Sequence, residues 1–249
     1  MQSAGISAHL VSRIQAAVSI SRERNHMSRS FIESLRATVD AQWHEIKQGE
    51  FWRTMLEQPA TPDLYRDLML QVYHYSSHNS INQAVAAFVP APEGLLKFVY
   101  RHAAEELGHE RMVTHDLRSA GLLREGDIER PPLPATEALI GYLYYVSLRY
   151  GAVARLGYSF WAEGAHSHIQ ELIVKAAPEL KLARKDLTFF GAHAEADEEH
   201  IRQVEDAIER YAVTEADREL VTRVALTTLS LTGQLLEQVA RKNRQGVAA

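Results

Sequence analysis

Over most of its length this chain repeats apolar residues at helical spacing and rarely interrupts them. Eight prolines and thirteen glycines punctuate 249 residues, and they fall mostly in groups, which leaves long stretches free for helices. Phe31, Leu35, Val39, Trp43 and Ile46 recur every three or four residues, so 28–57 reads as one helix kinked at Gly49. Thr61 is a good cap for the next helix, with Pro62 in its first turn, and that helix runs to about Phe88. A third spans about 92–120 and stops at Gly121. The segment 122–134 is the longest predicted loop. Helix resumes over 135–177, bent near Gly164, then from Pro178 to Tyr211. The last helix starts at Thr214, with Asp217 as its reciprocal cap. No segment alternates with period two, so no strand is expected. The reading is a single all-α domain over 28–241, a bundle of about seven helices. An extension or weak amphipathic helix precedes it (1–27), and a tail over 242–249 should fray.

Composition removes several function classes. There are no cysteines, which excludes disulfides, thiolate metal sites and a Cys nucleophile. The net charge is −5 with Lys and Arg scattered, so nucleic acid is not an expected partner. The most apolar stretch, 139–162, is interrupted by Arg149 and Arg155, which argues against a membrane span. A cytoplasmic location is expected.

The residues that can carry chemistry cluster by spacing. His193, Asp197 and His200 follow one another by four and then three residues, which sets them on one helical stripe. Glu106 and His109 form a second acid–imidazole pair at i, i+3. Glu163 sits among apolar and aromatic residues, where an unpaired charge is costly. Bundle metal sites recruit such side chains from facing helices. The helix from Pro62 contains no Glu, so the fourth carboxylate of a ferritin-like set is absent there and His193 is the obvious replacement. Three carboxylates and three imidazoles suit iron or manganese better than zinc or calcium.

Each group also has a plainer role. Glu105 and Glu110 can pair with Arg101 and Arg111, and Glu163 with Arg155. His74, His78, His166 and His168 are read as ordinary core or surface groups. Tyr142, Tyr144, Tyr145, Tyr150, Tyr158, Phe160 and Trp161 read first as core packing, with some available to an apolar substrate chamber.

Taken together, these motifs resemble the haem-oxygenase-like di-iron oxidases and oxygenases, of TenA-like fold. In that family Glu-x-x-His, a lone Glu and His-x-x-x-Asp-x-x-His occur in this order. The resemblance covers about residues 28–240 and is nearest to the alkene-forming fatty-acid oxidase branch, in which the first Glu precedes its His by three residues. It implies two iron ions, Fe(II)/Fe(III), held by Glu106, His109, Glu163, His193, Asp197 and His200, with O₂ as co-substrate. In a second branch the first ligand lies seven residues before its His, which here is His102. The first ligand therefore stands open among Glu106, Glu105 and His102. The expected activity is oxidation of a small carboxylate- or amine-bearing molecule, a fatty acid or an amino acid, with an external electron donor and a homodimer both admitted. The alternatives are a cofactor-less oxidase of the same fold and a non-catalytic metal-binding helical protein.

Overall fold

The computed structural model describes residues 29–247, apart from the side chains of 193–198 and 245–247. The expected helix over 5–22 and the extension over 1–27 lie outside the described residues, as do the last two residues of the expected tail. Every regular element among the described residues is helical. α1 covers 29–47, followed by α2 (Glu50–Glu57), α3 (Pro62–Val85), α4 (Glu93–Glu105), α5 (His109–Ser119) and α6 (Pro134–Tyr150). Then come α7 (Ala152–Glu163), α8 (Ala165–Glu179), α9 (Thr188–Tyr211) and α10 (Glu215–Val247).

This is more than the seven helices expected, because glycines divide stretches that periodicity reads as continuous. Gly49 separates α1 from α2. Gly108, at φ +97°, separates α4 from α5 within the predicted 92–120 helix. Gly151, at φ +77°, separates α6 from α7, and Gly164 separates α7 from α8. Positive φ is nearly free for glycine and strained for any other residue, so each such turn redirects the chain at little cost. Pro178 does not start a helix. It sits in the last turn of α8, which ends in a Schellman turn: Leu182 N donates to Ala177 O (2.8 Å) and Lys181 N to Pro178 O (3.2 Å), with Lys181 at φ +57°.

The predicted caps are present. Thr61 Oγ1 accepts from Leu64 N at 3.2 Å. Thr214 and Asp217 bond reciprocally, Thr214 N to Asp217 Oδ2 (3.0 Å) and Asp217 N to Thr214 Oγ1 (3.1 Å). Gly121 closes α5 at φ +70°. α10 continues through Val247, and Lys242 Nζ and Asn243 Nδ2 both donate to buried Asp67 of α3.

α10 is the longest helix among the described residues, and α7 packs along it. A Cβ at Gly157 would fall 2.3 Å from Val221 O and 3.0 Å from Ala225 N, both rigid backbone atoms of α10. Trp161 Nε1 donates to Thr228 Oγ1 at 2.8 Å and ties the same pair of helices. Gly157→Ala should therefore push α7 outward and cost about 1–3 kcal/mol. Thermal unfolding should register a fall of several degrees, and an unchanged melting temperature would contradict this packing.

Candidate metal centre

Four helices bring ionisable side chains to one buried place. α4 supplies His102 and, as its C-cap residue, Glu106; α5 begins with His109; α7 ends with Glu163; α9 carries His200. The break at Gly108 lies within this set. Glu106 and His109 nevertheless stay in contact, with His109 Nδ1 3.3 Å from Glu106 Oε2.

Glu163 lies between two imidazoles. Its Oε1 is 3.0 Å from His102 Nε2, and its Oε2 is 3.3 Å from His200 Nδ1. Ligand atoms of His102, Glu163 and His200 all lie within 4.8 Å of one another. Although His102 Nε2 is within hydrogen-bonding distance of Glu163, it is misaligned and has no hydrogen-bond partner. A buried ring nitrogen beside a carboxylate, with no directed bond between them, is the condition a cation would satisfy. Two imidazoles and one carboxylate are also the donor set suited to non-haem Fe(II), so these residues fit an iron ion.

The polar groups around the cluster fix its orientation. Asn79 Nδ2 donates to Glu106 Oε2 (2.7 Å), and Arg155 Nη2 donates to Asn79 Oδ1 (2.6 Å). A guanidinium can only donate, so it settles which end of the Asn79 amide faces Glu106. Gln83 meets His102 Nδ1 at 2.5 Å. The atom at that distance is the amide nitrogen of Gln83, which donates, so Nδ1 accepts and the ring is fixed with Nε2 toward Glu163. Arg155 is itself buried and makes no ion pair with a carboxylate among the described residues. Its donors reach Asn79, Asn82 and Ser159, and it lies over the Tyr158 ring at 4.3 Å. The expected pairing of Arg155 with Glu163 is thus replaced by neutral acceptors.

The electrostatics follow from these contacts. Burial pushes the Glu163 carboxyl up, but the adjacent His102 and His200 imidazoles outweigh it and hold the group at about 2. Burial and the nearby Glu163 charge oppose ionisation of Glu106, while the His109 contact wins and keeps it below its usual value. His109 is raised by Glu106, and His200 by Glu163, each against some desolvation.

Of the sequence-predicted residues, Glu106, His109, Glu163 and His200 come together. His102, the less favoured alternative, joins them between Gln83 and Glu163. Glu105 points outward toward Arg101 (3.9 Å) and stays 3.8 Å from His200 Nε2. The side chains of His193 and Asp197 lie outside the described residues, although their backbone belongs to α9. His78 Nδ1 meets Tyr144 OH at 3.0 Å, and His168 stacks on Trp43. Sequence reading missed Asn79, Asn82 and Gln83; amides at i, i+3 and i+4 inside a helix were their only signal.

α9 owes its placement to α5. Asp116, 1% exposed, accepts from Thr188 N, Thr188 Oγ1 and Phe189 N at 2.6–3.0 Å and so caps α9 from a neighbouring helix. The cluster borders a cavity of about 150 Å³, whose wall is mostly apolar and includes Glu106, Glu163 and Asn79 at its polar part.

The sequence profile of a family described as "Iron-containing redox enzyme" matches residues 66–233. The chain belongs to this family. A domain of unknown function with a haem-oxygenase-like fold from Shewanella denitrificans is 35% identical, with a TM-score of 0.82 over 85% of this chain and 93% of its own. A TenA homologue from P. horikoshii aligns at 13% identity and TM-score 0.67, over 85% of this chain and 98% of its own. Haem oxygenase-1 from the cyanobacterium Synechocystis, in complex with haem, aligns at 15% and 0.69, over 88% and 96%. At such identities these two share the fold alone. No curated protein matches the chain. Among the described residues no helix is long and apolar enough to cross a membrane.

Proposed function

We propose that this member of the family is a non-haem iron oxidase or oxygenase that uses O₂ to oxidise a small organic substrate. The observation that carries the reading is the convergence of His102, Glu163 and His200 from three helices at the edge of an apolar cavity. Three converging protein side chains would hold an ion without a porphyrin, which favours iron without haem. Glu106 and His109 would hold a second ion, together with His193 and Asp197 of α9. Placement in the alkene-forming branch rests on the spacing of Glu106 and His109. His102 adds an imidazole at the position used by the seven-residue branch.

Bound there, iron would supply one-electron chemistry toward O₂, with an external reductant providing the electrons that the substrate does not. The chain's own residues do the rest. Glu163 presents one oxygen to each imidazole and would supply the negative charge that a bound ion needs. Asn79, pinned by Arg155, engages one oxygen of Glu106 and leaves Oε1 for the site. Gln83 orients His102, and the apolar wall excludes water from the reacting region.

Metal removal gives a test with a defined sign. The depressed carboxyl of Glu163 contributes stability that is complete above pH 4.5 and is lost as pH falls toward 2. The raised imidazoles of His109 and His200 contribute stability that is complete below 6.5 and is lost as pH rises through their folded values. The metal-free protein should therefore be most stable between roughly pH 4.5 and 6.5. Iron replaces the protons on the imidazoles, so Fe(II) should move the optimum upward. Urea unfolding across pH, with chelator or with anaerobic Fe(II), measures both. An optimum that ignores iron contradicts the reading.

A further inference from the structure

α3 and α6 pack side by side and share an outer face without charge. His78 Nδ1 of α3 meets Tyr144 OH of α6 at 3.0 Å and holds the two together. Between Asp67 and Glu93 the chain has no Asp, Glu, Lys or Arg, and between Glu137 and Arg149 it has none either. Ile81 lies one turn beyond His78, and Leu148 one turn beyond Tyr144. With Tyr145, and with Phe88 in the 3₁₀ turn that continues α3, they are 51–80% exposed. At about 200 Å² for a large side chain, these four leave about 400–500 Å² of apolar surface in water, more than half of the roughly 800 Å² that each partner of a stable dimer buries. Apolar residues scattered singly over a surface are ordinary, whereas a patch of this size marks a docking face.

Gly141 lies at the centre of the exposed stripe of α6. Only proline suits a helix interior less than glycine, and a Cβ at Gly141 would meet nothing within 4 Å in this chain. Among the described residues, the other glycines with such open space have a place in a turn, Gly121 and Gly126 at positive φ, or in the first turn of α9, Gly191. Gly141 sits in mid-helix with neither reason, and close approach of a second helix supplies one. Glu137, Gly141, Tyr145 and Arg149 are all exposed and form one i, i+4 ridge. Neither Glu137 nor Arg149 makes an ion pair among the described residues. Laid antiparallel against a copy of itself, this ridge sets Glu137 opposite the partner's Arg149 and Gly141 opposite the partner's Tyr145. Acid then meets base, and the gap in one ridge meets the ring of the other. A surface that complements itself in charge and in shape is the mark of a twofold contact.

We propose that a second copy of this chain docks on this face, about a twofold axis that crosses α6 between Gly141 and Tyr145, with Ile81, Phe88 and Leu148 flanking the contact. Matching i, i+4 ridges is the commonest way for two helices to pack.

Sedimentation equilibrium of the full chain tests this. The wild-type protein should be a dimer in the micromolar range. Gly141→Leu has open room in a single chain and none beneath the partner's Tyr145, so it should weaken association by about 100-fold or more. Tyr145→Glu should do the same by placing a charge in the contact. Glu137→Arg and Arg149→Glu should each weaken the dimer about tenfold, because each sets like charges opposite one another twice. The double exchange should restore it, with both pairs remade in reverse. Circular dichroism should show full helix content in every variant, since all four positions are exposed. A wild type that remains monomeric through the micromolar range, whether residues 1–27 or a lipid surface take the face instead, would overturn the proposal. So would a dimer indifferent to Gly141→Leu, a double exchange no better than either single change, or loss of helix in these variants.

Discussion

Glu163→Gln should fold normally yet lose iron and O₂-dependent oxidation together. The substitution keeps shape and removes the one negative charge shared by His102 and His200, which lie 3.0 and 3.3 Å from its two oxygens. Supporting residues around metal sites typically change affinity by about 10–100-fold, and a central ligand should exceed that, so a loss of about 100-fold or more is expected. Fe(II) affinity and O₂ consumption measure it. The same variant should lose the acid-side stability that the depressed Glu163 carboxyl provides. Iron binding and oxidation at wild-type levels in Glu163→Gln would remove this carboxylate from the centre.

Arg155→Met should be the most destabilising single change near the site. The guanidinium is buried and satisfies Asn79, Asn82 and Ser159 at 2.6–3.0 Å. Removing it strands two amide oxygens, each at about 1–3 kcal/mol, and takes away a buried cation that interacts with Glu106 and Glu163. A cost of about 3–5 kcal/mol is expected, the range for breaking a buried charged network. Arg155→Lys should recover little, since one ammonium cannot reach three acceptors in the guanidinium's planar geometry. Urea unfolding of both variants against wild type checks this. A loss below about 1 kcal/mol would show that the amides find other partners.

The helical fold was legible because its signals are local. Apolar spacing, Thr61 with Pro62, Thr214 with Asp217, and Gly121 each act within a few residues. Helix breaks were less so. Gly108 and Gly151 take positive φ, but a glycine inside a periodic run looks the same whether it bends the helix or not. Pro178 misled because the residue tolerated in a first turn is here accommodated in a last turn, sealed by Lys181.

The charged members of the candidate centre were legible through their joint order along the chain, since a single acid–imidazole pair is common on helices. Glu106 lies against His109, and Glu163 against His200. The neutral groups that orient them were not legible. Asn79, Asn82 and Gln83 lie on the helix that offers no carboxylate ligand because it lacks Glu. Their role depends on Arg155 of α7 and His102 of α4, and such contacts between helices leave no mark in a single sequence. The capping of α9 by Asp116 is of the same kind. His102 was discounted because a carboxylate was expected at its position, and only the geometry shows its Nε2 turned toward Glu163.

The proposed function places iron, without haem, in a centre made by His102, Glu163 and His200. Its most direct measurement is anaerobic Fe(II) titration of the wild-type protein, His102→Ala and His200→Ala, followed by admission of O₂ while oxygen uptake and the visible spectrum are recorded. The account predicts tight binding of up to two ions per chain in the wild type, oxygen uptake, no Soret band, and loss of at least one ion in each variant. Stoichiometric haem with a Soret band, or iron binding unchanged in both variants, would contradict it.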